Sequence, residues 1–147
     1  IKSAIGIGTL LLDGIGDTIR VSITGDPIDE VKAAKEILRA LDRYDKGIEI
    51  ISCPTCGRCC VDLESIARQV ESELSGYCTD KTLKVAVMGC AVNGPGEARE
   101  ADIGIAFGPD RGVLFKKDEV ILNAPQREAV NALISEARRI AGGGTWT

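Results

Sequence analysis

Six cysteines and no histidine, with four of the cysteines at positions 53, 56, 59 and 60, constrain this chain more than any other feature. Without an imidazole, a Ser-His-Asp triad, a histidine general base and a Cys/His zinc finger are all excluded within these residues. Two uses remain for so many thiols: a disulfide framework, or a metal or cluster site. Disulfide frameworks belong to small secreted domains too short for a core. Here no secretory leader is visible, and a composition 44% hydrophobic and 27% charged can build a core. Four cysteines bunched in one short run are also unlike the even spread of a stapled fold. A metal or cluster site is therefore expected. A net charge of −4 and 3% aromatic residues do not suit a basic, stacking nucleic-acid surface. No apolar run is long enough for a bilayer span, so neither nucleic acid nor membrane is expected as a partner.

Hydrophobic periodicity divides the chain near residue 46. Residues 1–13 fit helical spacing, and Thr18 to Thr24 reads as a short strand. Asp26 is a natural N-cap with Pro27 behind it, and Asp29 and Glu30 suit the positive end of a helix dipole. The helix they start carries Ile28, Val31, Ala34, Ile37, Leu38 and Leu41 on one face. A helix–strand–helix unit of this α/β type cannot cover both faces of its strand alone. From residue 47 the pattern is that of an α+β domain. Strands are expected at 47–52, 83–88 and 103–107, with a hairpin of 112–116 and 119–121 turning through Lys117-Asp118. Helices are expected at 62–74 and 125–141, followed by a frayed tail at 142–147.

Two of these strands end in cysteine-bearing turns: Cys53-Pro-Thr-Cys56-Gly-Arg58 and Met88-Gly-Cys90-Ala-Val-Asn-Gly-Pro-Gly-Glu97. A C-x-x-C turn aims two thiolates at one centre, and a third arriving from another strand closes a face around it. Gly89, Gly94 and Gly96 let backbone N–H groups come close enough to hydrogen-bond sulfur. Sulfur-rich ligands without imidazole suit either an iron–sulfur cluster or a Cys₄ zinc.

These two runs, in this order, resemble the C-terminal part of the (E)-4-hydroxy-3-methylbut-2-enyl diphosphate synthase family (IspG/GcpE). Gly14-Ile-Gly-Asp-Thr-Ile-Arg-Val-Ser22 resembles the last strand of that family's TIM barrel, and Glu30 to Leu41 its final helix. The resemblance implies that residues 1–46 close an otherwise missing barrel. It implies that 47–147 form an iron–sulfur domain akin to the cluster domains of sulfite and nitrite reductases. It further implies a [4Fe-4S] cluster on Cys53, Cys56 and Cys90, with Glu97 as a fourth, non-thiolate ligand. Asn93 would hydrogen-bond the substrate, 2-C-methyl-D-erythritol 2,4-cyclodiphosphate, while Arg20 and Ser22 would hold its diphosphate. The implied reaction is ring opening with two-electron reductive dehydroxylation, fed by ferredoxin or flavodoxin, in a cytoplasmic homodimer whose site forms between subunits. The chain by itself is expected to be inactive.

Cys59 and Cys60 depart from the family pattern and create C-x-x-C-x-x-C, the opening of a bacterial ferredoxin run. Either thiol could compete with Glu97 for the fourth iron, giving a site suited to simple electron transfer; a Cys₄ zinc module is the other alternative. Cys78 reads as a small, semi-buried residue. Arg58 either offsets cluster charge or merely ends its turn. Gly6-Ile-Gly8 and Gly14-Ile-Gly16 lack dinucleotide-loop spacing, and the charged faces of the two later helices read as solvated.

Overall fold

A computed structural model of the 147-residue chain describes every residue except 78, 92–95, 97, 99, 118 and 143–147. The residues separate into two compact units, Ile1–Asp45 and Lys46–Thr147.

In the first unit, helix α1 spans Lys2–Leu12 and helix α2 spans Pro27–Arg39. The Asp26 carboxylate accepts a hydrogen bond from the Ile28 N–H at 2.8 Å, the cap expected of that residue. Arg43 donates to the Leu11 carbonyl at 2.7 Å, tying the end of α1 to the segment after α2. Gly8 faces the Leu41 side chain, and Leu11 and Val21 are buried. Residues 18–24 do not form the expected strand. A strand exists only when a neighbour takes up its N–H and C=O groups, and no described strand pairs with this segment. Ile5, Leu10, Leu12, Ile28 and Val31 stay at least half exposed, so the apolar faces of both helices are incompletely covered within the unit.

The second unit is a five-stranded sheet in the order β1-β2-β3-β4-β5, formed by Ile48–Ser52, Leu83–Met88, Ile103–Phe107, Arg111–Lys116 and Glu119–Pro125. The first three strands run parallel, and β4 and β5 return antiparallel as a meander. Helices α3 (Leu63–Leu74) and α4 (Gln126–Ala141) pack on the sheet and on each other. The Asp62 carboxylate caps α3 by accepting from the Ser65 N–H at 3.2 Å. The hairpin is longer than expected. Strand β5 continues past Ile121 because Leu122, Asn123 and Ala124 still find partners at Leu114, Val113 and Gly112, across an irregularity at Leu114/Phe115. The tail expected at 142–147 lies outside the described residues beyond Gly142.

Alternation along β2 divides the core. Val85 and Val87 join Ile103, Ile105, Phe107, Leu133 and Val70 on the helix side, whereas Ala86 and Met88 join Ala106 and Phe115 on the other. Ala98 and Ala101 cover that second face, so β2 and β3 are buried on both sides as central parallel strands require. Gly104 belongs to this arrangement: it pairs with Phe115, and a Cβ there would lie 2.5 Å from the Phe115 ring. The absent side chain lets the ring lie across the sheet.

Some helix charges expected to be merely solvated link elements instead. Arg138 of α4 donates to the Glu73 backbone carbonyl of α3 at 2.9 Å and to its carboxylate. Glu136 accepts two hydrogen bonds from Arg139, each 2.6 Å, and lies 3.5 Å from the Lys116 ammonium on β4. The Arg139 hydrogen bond, opposed by partial burial and aided by the charges of Arg139 and Lys116, holds the Glu136 carboxyl below the ordinary carboxylate range. A carboxylate whose pKa is depressed by folding stabilises the fold above its unfolded pKa and loses that contribution as pH falls through the folded value. Glu136→Gln should therefore produce a small fall in the urea midpoint near neutral pH. The gap from the parent should close on acidification, and a gap independent of pH would refute the assignment.

Candidate metal centre

Strand register determines how the two cysteine turns meet. Ser52, the last residue of β1, pairs with Val87 of the parallel β2. The next residues, Cys53 and Met88-Gly89, therefore leave adjacent strands side by side at their carboxyl ends, where open α/β sheets place ligands. The contact is direct: the Gly89 N–H donates to Cys53 Sγ at 3.4 Å. Cys90 follows and is 9% exposed, Cys53 and Cys59 are half-buried, and Cys56 and Cys60 are exposed. None of the five described cysteines is joined in a disulfide.

Local geometry shapes the first turn. Pro54 fixes one φ near its ring-imposed value, and Thr55 adopts φ +55°. Positive φ at the third residue of a four-residue turn is the place usually given to glycine or asparagine. A β-branched residue held there carries strain of about 1–2 kcal/mol, so the turn around Cys53 and Cys56 is a constrained one. Nothing local in the sequence signals a left-handed threonine at 55.

Cys59 and Cys60 pack against the second turn. The Cys59 N–H donates to the Cys56 carbonyl at 2.9 Å, and its thiol donates to the Val61 carbonyl at 3.3 Å. The Cys60 N–H donates to the Gly89 carbonyl at 3.3 Å. Its thiol lies 3.6 Å from that oxygen and 3.7 Å from the Phe107 carbonyl, at the end of β3. The loop after Cys56 is thereby sewn to the ends of β2 and β3. A groove of about 490 Å³ beside Cys53 is lined by Ser52 and Thr55 and by Glu64, Arg68 and Glu71 of α3.

Cys53, Cys56 and Cys90 are thus brought to one end of the sheet. Arg20 and Ser22 are exposed residues of the first unit, flanking buried Val21. Asn93, Glu97 and Cys78 lie outside the described residues. Among the described residues no three His, Cys, Asp or Glu side chains gather closely enough to hold a single metal ion. Three thiols in neighbouring turns, one already accepting a backbone N–H, match the environment in which cluster sulfurs are held and tuned.

The second unit is thus an α+β domain with thiols collected near the carboxyl ends of parallel strands. The chain belongs to the GcpE protein family. Residues 49–139 match the GcpE protein C-terminal domain, and residues 1–35 match the GcpE TIM-barrel domain. It is similar to proteins named 4-hydroxy-3-methylbut-2-en-1-yl diphosphate synthase (flavodoxin). The Clostridium tetani protein is 61% identical over 140 residues, covering 95% of this chain and 40% of that protein. The Geobacter sulfurreducens protein is 56% identical over 140 residues, covering 95% and 39%. The Clostridium perfringens protein is 60% identical over 134 residues, covering 91% and 38%. The chain spans about two-fifths of the length of these relatives. No helix among the described residues is long and apolar enough to cross a membrane.

Proposed function

We propose that these residues belong to an iron–sulfur oxidoreductase that converts 2-C-methyl-D-erythritol 2,4-cyclodiphosphate to (E)-4-hydroxy-3-methylbut-2-enyl diphosphate in non-mevalonate isoprenoid biosynthesis. The observation that carries this reading is the β1–β2 register, which sets Cys53 beside Gly89-Cys90 with the Gly89 N–H on its sulfur. Relatives up to 61% identical, named 4-hydroxy-3-methylbut-2-en-1-yl diphosphate synthase (flavodoxin), support this product and a flavodoxin donor. Residues 1–46 are then the closing part of a TIM barrel and 47–147 the cluster domain, in a cytoplasmic homodimer.

Cys53, Cys56 and Cys90 would hold a [4Fe-4S] cluster, with Glu97 as the fourth ligand. When bound, the cluster supplies electrons singly together with a Lewis-acidic iron. The chain's own residues do the rest. Three thiolates from the turns at the sheet end would keep the site in place, while the Glu97 carboxylate, a harder donor, would be the more easily displaced ligand. Asn93 hydrogen-bonds the substrate, and Arg20 with Ser22 grips the diphosphate through charge-assisted hydrogen bonds. Ring opening breaks the bond between the tertiary carbon and its phosphate oxygen and leaves the diphosphate on the terminal carbon. The secondary hydroxyl on the adjacent carbon departs as water, two electrons arrive from flavodoxin or ferredoxin to form the carbon–carbon double bond, and solvent supplies the protons.

The test is an iron, sulfide and zinc count on full-length protein prepared without oxygen, with visible spectra before and after addition of the cyclic diphosphate. About four irons and four sulfides per chain and a substrate-dependent spectral change are expected. Glu97→Ala should abolish that change, whereas Cys59→Ala should not. A colourless protein with one zinc per chain would overturn the reading. A cluster indifferent to the cyclic diphosphate would instead mark an electron-transfer domain related to those of sulfite and nitrite reductases.

A further inference from the structure

The two cysteines that depart from the family pattern sit against the second cysteine turn, and one of them meets it at a glycine. A Cβ on Gly89 would lie 2.5 Å from Cys59 Sγ, 3.3 Å from Cys59 Cβ and 3.3 Å from Leu63 Cδ2. Real Cβ atoms essentially never approach within 3.0 Å of a heavy atom. The Cys59 sulfur therefore occupies the space that a side chain at 89 would need. It is half-buried, packs against the main core and donates to the Val61 carbonyl at 3.3 Å. Gly89 itself connects the two turns, since its N–H reaches Cys53 Sγ while its carbonyl receives the Cys60 N–H.

We infer that Cys59 is a positioning residue rather than a cluster ligand, and that its sulfur and the bare Cα of Gly89 form a size-matched pair setting the separation of the two ligand-bearing turns. Bulk added at 89 pushes Cys59 and the loop after Cys56 away from β2, lengthening the Gly89 N–H to Cys53 Sγ contact. Bulk removed at 59 leaves room at Gly89 and gives up the thiol's hydrogen bond to the Val61 carbonyl, but takes away no cluster ligand. The inference rests on the cluster reading for its iron readout but not for its packing.

The experiment is a double-mutant cycle in the full chain using Gly89→Ala, Cys59→Ala and the pair, each anaerobically reconstituted with iron and sulfide. Cluster retention against a chelator is measured alongside the urea midpoint of the iron-free protein. Gly89→Ala should weaken retention by roughly 10-fold or more, the usual effect of disturbing residues that orient metal ligands, and should lower the iron-free midpoint. Cys59→Ala alone should retain iron and sulfide like the parent. The double variant should recover both quantities, because the contacts left to an alanine at 89, each 3.3 Å, yield to shifts of a few tenths of an ångström. Loss of iron in Cys59→Ala, or failure of that change to rescue Gly89→Ala in either readout, would overturn the pairing. If the parent itself takes up no iron, the cluster reading fails, and recovery of the iron-free midpoint still decides the pairing. Rescue of Gly89→Ala by truncating Cys59 is a result that a ligand role for Cys59 does not produce.

Discussion

Replacing Phe107 by alanine should lower the stability of the second unit by about 3–5 kcal/mol. Its side chain is fully buried at the end of β3, among Ile105, Leu133 and the rest of the helix-side core. An aromatic ring removed there leaves a cavity that a close-packed sheet cannot collapse around. Against a domain stability of about 5–15 kcal/mol, the loss is a large fraction of the total. Denaturant unfolding of the full chain, followed by circular dichroism, should show the transition of this unit moved to much lower urea. Val120→Ala is the matched control: Val120 is 66% exposed on β5 and should change stability by no more than about 0.5 kcal/mol. Comparable shifts for both variants would mean that the core has been misplaced. Because the Phe107 carbonyl also lies 3.7 Å from Cys60 Sγ, the variant should loosen the loop after Cys56 as well as the core.

The second large effect is chemical. Cys53→Ser should remove essentially all cluster iron and sulfide from anaerobically prepared full-length protein, and Cys56→Ser and Cys90→Ser should do the same. Serine keeps the size of the side chain and can still accept the Gly89 N–H, while the thiolate that iron requires is gone. Circular dichroism should therefore show an intact fold in protein that has lost its colour. Cys53→Ser carrying the parental complement of iron would eliminate Cys53 as a ligand, and with it the register argument for the site.

The β strands of the second unit could be read from their own residues because alternation and β-branched content are local properties. Leu83–Met88 and Ile103–Phe107 appear where the pattern put them, and Asp26 and Asp62 cap helices as short-range chemistry requires. Residues 18–24 show the limit of that reasoning: their composition suits a strand, yet strand structure depends on a partner, and none among the described residues is paired with them. The far end of β5 was missed for the related reason that Asn123 and Pro125 have poor strand propensity, and only their pairing with Val113 and Arg111 holds them in the sheet.

The site divides along the same line. From its residues alone, this chain is expected to use thiolate chemistry: it has no histidine, and cysteines follow two apolar strands in turns rich in proline and glycine. Which turn stands beside which was settled only in three dimensions, by the parallel pairing of β1 with β2 that carries Gly89 to Cys53. The left-handed Thr55, the sulfur of Cys59 lodged against Gly89 and the groove beneath α3 likewise depend on atoms far apart in sequence or on backbone angles that no spacing rule specifies. Residue type dictates which bonds a side chain can make, but the distance over which it makes them belongs to the packed sheet.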